Sequence, residues 1–198
     1  MSHYFMDDPG LPDDYREFSY YYRDLAFTFT SNSGVFSPGH VDPGTDLLLR
    51  YIPSLQKRGT QGTLLDIACG YGVIGIVLSK AWGLSVTMAD INPRALHCAE
   101  INCKSNDVKA NILPSDCFES IPDKFDTITL NPPIHAGKEV VYRMFAEAPA
   151  HLNPGGAFYA VMLEKHGAKS AMRRLEEIFT VCEILFHKKG AYVFCCRN

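Results

Sequence analysis

Apolar residues fall along this chain in two alternating rhythms. Leu64, Leu65 and Ile67 form a short apolar run suited to a strand buried on both faces. Glycines at 70 and 72 follow, and Val73 to Ala81 reads as a helix. The same order then repeats. Ser85 to Ala89 predicts a second strand ending at Asp90, and Asn92-Pro93 opens a helix whose Leu96, Ala99, Glu100 and Cys103 recur at helical spacing. Ala110 to Leu113 predicts a third strand, with Asp116 beyond its end. Phe125 to Leu130 predicts a fourth, closed by Asn131-Pro132-Pro133-Ile134. A helix over Glu139 to Ala148, a turn at Asn153-Pro154-Gly155-Gly156 and a strand over Ala157 to Leu163 come next. Ala168 to Phe179 is amphipathic, with Met172, Leu175 and Ile178–Phe179 on one side. Val181 to Phe186 and Ala191 to Cys196, joined through Lys188-Lys189-Gly190, predict an antiparallel hairpin.

Ahead of these elements, Met1 to Arg23 reads as an arm with little regular structure. Phe27-Thr28-Phe29-Thr30 gives Leu25 to Thr30 strand periodicity, with a turn at Ser31 to Gly34 and a return strand at Val35-Phe36-Ser37. Asp42-Pro43 starts a helix running to about Tyr51 and burying Leu47, Leu48 and Tyr51. Gln56 to Gly62 is a polar loop. Strands alternating with helices predict an α/β, doubly wound, mostly parallel seven-stranded sheet with a C-terminal antiparallel hairpin. One domain over residues 1–198 is expected, with an arm and hairpin at about 1–40. Right-handed crossovers bring Asp66, Asp90, Asp116 and Asn131 to one sheet edge, where ligands bind.

Composition adds little except by exclusion. The chain has 198 residues and a net charge of −3, which argues against strong non-specific affinity for nucleic acid. The segment from Glu164 onward is locally basic, through Lys165, Lys169, Arg173, Arg174, Lys188, Lys189 and Arg197. The seven cysteines include no C-x-x-C, so neither a disulfide framework nor a zinc site is indicated. The polar, acidic start lacks a signal peptide's pattern, and a cytoplasmic location is expected.

The chemistry lies at the strand ends. Strand, glycine turn and helix N-terminus form a site for an anion. Gly70, Gly72 and Gly75 spell G-x-G-x-x-G, and Asp90 stands where a ribose-binding acid belongs, so NAD fits the spacing. Asp66 argues otherwise: an acid directly under the loop would repel a pyrophosphate and suit a ligand with an ammonium or sulfonium charge. S-adenosylmethionine has both, and Asp66-x-Ala68-x-Gly70-x-Gly72 resembles motif I of class I methyltransferases, with Ala68 where glycine is frequent. Asn131-Pro132-Pro133 discards backbone donors and leaves a rigid turn with outward carbonyls beside a side-chain acceptor. Two fixed acceptors can grip a planar amino group and aim its lone pair at a methyl donor.

That tetrapeptide resembles the (Asn/Asp)-Pro-Pro-(Tyr/Phe) motif of amino-group methyltransferases, which act on adenine N6, guanine N2 or glutamine amide nitrogen. Residues 131–138, Asn-Pro-Pro-Ile-His-Ala-Gly-Lys, are similar to a stretch of the small-subunit ribosomal RNA guanine-N2 methyltransferase C family. So are Gly34 to Ser37 with Val41 to Thr45, and His3-Tyr4-Phe5; the likeness is closest to short, single-domain members. By this resemblance Asp66, Ala68, Gly70 and Gly72 hold the methionine end of S-adenosylmethionine. Asp90 and Ile91 meet the ribose, and Asp116 with Cys117 the adenine. Asn131, Pro132, Pro133 and Ile134 form the catalytic turn, while Phe36, Asp42 and Gly44 border the pocket. Ile134 stands where relatives have an aromatic that stacks on a flipped base. The expected partner is ribosomal RNA or the small ribosomal subunit. Another amino group (adenine N6, a protein glutamine, a small molecule) and a non-catalytic RNA-binding module remain alternatives.

Overall fold

The computed structural model describes residues 12–53 and 62–198. The acidic start Met1 to Gly10, the His3-Tyr4-Phe5 match and most of the polar loop from Gln56 lie outside the described residues.

The main sheet has seven strands in the order β5-β4-β3-β6-β7-β9-β8. They are β3 (Thr63–Ile67), β4 (Ser85–Asp90), β5 (Ala110–Pro114), β6 (Phe125–Leu130), β7 (Leu152–Leu163), β8 (Val181–Lys188) and β9 (Ala191–Arg197). Pairs among β3 to β7 are parallel, while β9 pairs antiparallel with both β7 and β8. The chain builds outward from β3 through β4 to β5, then restarts on the other side with β6. That reversal leaves a crevice at the ends of β3 and β6, the switch point of a doubly wound sheet.

Alternation along the strands sorts the core into two layers. Leu64, Met88, Tyr159 and Val161 face α1 (Pro43–Tyr51), α2 (Val73–Trp82) and α3 (Pro93–Ser105). Leu65, Ile67, Ile128, Leu130 and Phe158 face α4 (Lys138–Glu147) and α5 (Ala168–Ile178). Among the described residues no helix is long and apolar enough to cross a membrane.

Four local expectations are corrected. The segment before Arg23 is not irregular: β1 (Tyr15–Tyr22) pairs with β2 (Leu25–Asn32) through a tight turn at Arg23, whose φ is 56°. The partner of β2 thus precedes it, and Val35–Ser37 is no return strand. The tyrosine run obscured a period of two. Phe18, Tyr20 and Tyr22 point inward with Phe27 and Phe29, while Tyr21 is 72% exposed. In α1 the buried leucines are Leu48 and Leu49; Tyr51 lies outward against Phe186. The turn expected at Asn153–Gly156 is an irregularity inside β7, where the pairing with β6 shifts register.

The β1–β2 ribbon is fastened to α3 by two asparagines. Thr28 N–H donates to Asn106 Oδ1, whose amide returns a bond to the Thr28 carbonyl, at 3.1 and 2.7 Å. Asn102 does the same for Thr30, at 2.6 and 2.9 Å. Four helical residues rise about 6 Å, and two strand residues about 6.7 Å. The side chains therefore match the strand's spacing and occupy an edge that would otherwise be unpaired.

Candidate active site

The glycine turn is built as expected. Gly70 and Gly72 have φ of 56° and 89°, and Gly72 caps α2 without a side chain. Ala68 also has a positive φ, 54°, which explains why glycine is common there. Gly75 allows α2 to lie close on β4: a Cβ there would come within 2.6 Å of Met88 Sδ. Asp90 ties the turn to β4. One of its oxygens accepts from Gly70 N–H at 2.8 Å and the other from Asn92 N–H at 2.9 Å. Burial raises its pKa, and the backbone bonds act against that rise.

Beside this turn lies a cavity of about 450 Å³. The structure brings eleven of the expected residues to its wall: Phe36, Asp42, Ala68, Gly70, Asp90, Ile91, Asp116, Cys117, Asn131, Pro132 and Pro133. Four do not line it. Gly72 serves helix packing, since a Cβ there would meet Met88, Ile76 and Ala99 at 3.1–3.3 Å. Gly44 leaves room for the Asp42 carboxylate, which a Cβ would approach to 2.8 Å. Ile134 lines a second, smaller cavity.

Asp66 is the substantive correction. It is 1% exposed and turned into the core, where its carboxylate accepts from Gly75 N–H at 2.9 Å and Thr129 Oγ1 at 3.0 Å. Burial pushes its pKa up to about 7, against the lowering effect of those two bonds. Its carboxylate therefore does not line the cavity. The selection expected of it falls to the cavity wall, where Asp42, Asp90, Asp116 and Glu139 stand against a single base, Arg143. That acidic wall disfavours a pyrophosphate and suits a cationic ligand.

Three other residues escaped sequence reasoning. Arg143 reaches from α4 to form an ion pair with Asp116 and hydrogen bonds to Cys117 Sγ at 2.9 and 3.1 Å. Burial lifts the Cys117 thiol to about 11 despite that guanidinium. Tyr71 donates to the His40 carbonyl at 2.7 Å and holds the 36–40 loop over the cavity. Thr45 belongs to the most consequential group. The Asn131 amide nitrogen donates to Asp42 Oδ2 at 3.0 Å and to Thr45 Oγ1 at 2.9 Å. Asp42 Oδ2 also accepts from Thr45 N–H at 3.0 Å, as the N-cap of α1. Because Asp42 only accepts, the Asn131 nitrogen must face it. The Asn131 oxygen is thereby left as an acceptor beside the Pro132–Pro133 backbone.

Comparison with known proteins gives this geometry a family. The model of the methyltransferase small domain matches residues 26–195. An uncharacterised protein YbxB of Bacillus subtilis is 37% identical over 195 residues, 96% of each chain. A ribosomal RNA small subunit methyltransferase C of Haemophilus influenzae is 40% identical over 134 residues, 65% of this chain and 39% of the relative. The structure of a T. thermophilus 16S rRNA N2 methyltransferase, in complex with AdoMet and guanosine, superposes with a TM-score of 0.83 at 30% identity. That match covers 96% of this chain and 52% of the other, so the present chain spans about half the length of that protein and 39% of the Haemophilus relative. The chain belongs to the methyltransferase small domain family and is an S-adenosylmethionine-dependent methyltransferase.

Proposed function

We propose that this chain methylates the N2 amino group of guanine in ribosomal RNA. The observation that carries the reading is the fixed Asn131 amide, whose nitrogen is spent on Asp42 and Thr45. The free Asn131 oxygen and the Pro132 carbonyl can accept the two N–H bonds of an exocyclic amine. Gripped so, the amine's lone pair is withdrawn from the ring and directed across the turn, which is catalysis by orientation and preorganised dipoles. The nitrogen becomes acidic as it is alkylated, so its proton can leave to water without a strong base. The residues present fit S-adenosylmethionine: Asp90 for ribose hydroxyls, Asp116 for the adenine amine, and an acidic wall for the cationic end. When bound, this cofactor supplies an electrophilic methyl group. The similarity to proteins named as small-subunit ribosomal RNA methyltransferases supports the choice of substrate.

Ile134, standing where relatives have an aromatic, favours one second reading: the same chemistry on another amino group, such as adenine N6, a protein glutamine or a small molecule. The test is methylation of small-subunit RNA from cells lacking the gene, with labelled cofactor, followed by nucleoside analysis. Label in N2-methylguanosine is expected. Label in N6-methyladenosine, or in protein alone, would overturn the assignment.

A further inference from the structure

The basic residues of the C-terminal third are not equivalent. Lys169, Arg174 and Arg197 are each held by a carboxylate, of Glu164, Glu177 and Glu183, at 2.5, 2.8 and 2.9 Å. Lys165 and Lys138 make no ion pair among the described residues. The Lys138 ammonium lies 4.9 Å from the Tyr142 ring centroid, a cation–π contact that leaves its donors to solvent. Lys138 lines a second cavity of about 210 Å³ together with Ile134, Val141, Met162 and His166, and Lys165 directly precedes His166 in the chain. Burial lowers the His166 pKa first, with Lys165 and His135 adding to that shift and Asp42 acting against it. The two cavities share the catalytic turn: Asn131 to Pro133 line the larger and Ile134 the smaller. A chain of net charge −3 thus places unpaired cations and an apolar floor beside its amine-gripping turn.

We propose that this rim docks a single-stranded RNA segment, with Lys138 and Lys165 on its phosphates and the apolar floor under an unstacked base. The inference rests on the methyl-transfer reading and extends it from the reacting amine to the strand that carries it. An apolar floor of this size takes one splayed base, not a base pair, which selects single strands over duplex. Phosphate neutralisation by exposed lysines is worth little contact area but adds directly to the salt dependence of binding.

The test measures fluorescence anisotropy of a guanosine-containing single-stranded RNA with wild type, Lys138→Ala, Lys165→Ala, the double variant and Arg197→Ala, across a salt series. All of these side chains lie at the surface, and circular dichroism checks the fold. Each rim variant is expected to weaken binding and to flatten the slope of log K against log salt by about 0.7, the single-strand increment per phosphate. Arg197→Ala should leave the slope unchanged, and cofactor affinity should be the same in every variant. Unchanged slopes in the rim variants, or equally tight binding of duplex RNA, would overturn the proposal. Failure here can be told from failure of the function reading. Guanine methylation by wild type with unaltered slopes removes only the docking site. Altered slopes with no methyl transfer to any RNA remove the RNA-methylation reading and leave the docking site.

Discussion

Asp66→Asn separates two roles that one acidic residue can play beneath a glycine turn. The structure makes Asp66 a buried acceptor whose pKa is raised from 3.8 to about 7, chiefly by burial. The sign of the linkage follows directly. Between those two values the folded protein holds a proton that the unfolded chain has lost, so stability falls as pH rises through the window and levels off above about 7. A gap of about three units corresponds to about 4 kcal/mol at 1.36 kcal/mol per unit. Asparagine keeps the shape and one acceptor for Gly75 N–H, and the Thr129 hydroxyl can turn to accept from its amide. The variant never ionises. Urea unfolding of both proteins from pH 4 to 8 should show the wild type losing up to about 4 kcal/mol relative to the variant, most of it between pH 4 and 7. Cofactor affinity should be preserved, because the side chain does not reach the cavity. A pH-independent stability difference, or a variant that folds but no longer binds S-adenosylmethionine, would refute the reasoning.

Further perturbations test the rest of the site. Asp42→Ala removes the acceptor that orients Asn131 and the N-cap of α1; kcat should fall about 10²-fold and stability by about 1 kcal/mol, with cofactor Kd within a few-fold of wild type by calorimetry. Gly75→Ala forces a methyl onto Met88 and should cost about 1–3 kcal/mol in denaturant unfolding; Met88→Ala in the same chain should recover part of it, a coupling that a double-mutant cycle measures. Arg143→Ala releases Asp116 and should raise KM for the cofactor with little change in kcat; an unchanged KM would remove Arg143 from the cofactor end.

Legibility in the sequence followed locality. The βα alternation, the N-caps Asp42 and Asn92 with their prolines, and the strand ends carrying Asp90, Asp116 and Asn131 were readable because each depends on neighbours in sequence. The β1 strand does not show in the sequence because Tyr20, Tyr21 and Tyr22 are all aromatic; only packing shows that Tyr21 faces water. The place of Asp66 on its strand is local, yet its side-chain direction follows from strand alternation together with Thr129 on the neighbouring β6, a partner 63 residues away. The Asn131 clamp spans 89 and 86 residues to Asp42 and Thr45, so the motif announced the acceptor but not what orients it. Arg143 gave no signal, because the face that α4 turns to the cavity is set by the Ile134–Ala136 turn before it.

The central claim is that a pinned amide oxygen and a proline carbonyl present an amine for methylation. Single-turnover methylation of small-subunit RNA by Asn131→Ala, with cofactor affinity measured on the same preparation, tests it most directly. The account predicts a chemical rate at least about 10²-fold below wild type at unchanged cofactor affinity, the pattern of a contact made in the transition state. A wild-type rate, or a defect wholly accounted for by weaker cofactor binding, would contradict it.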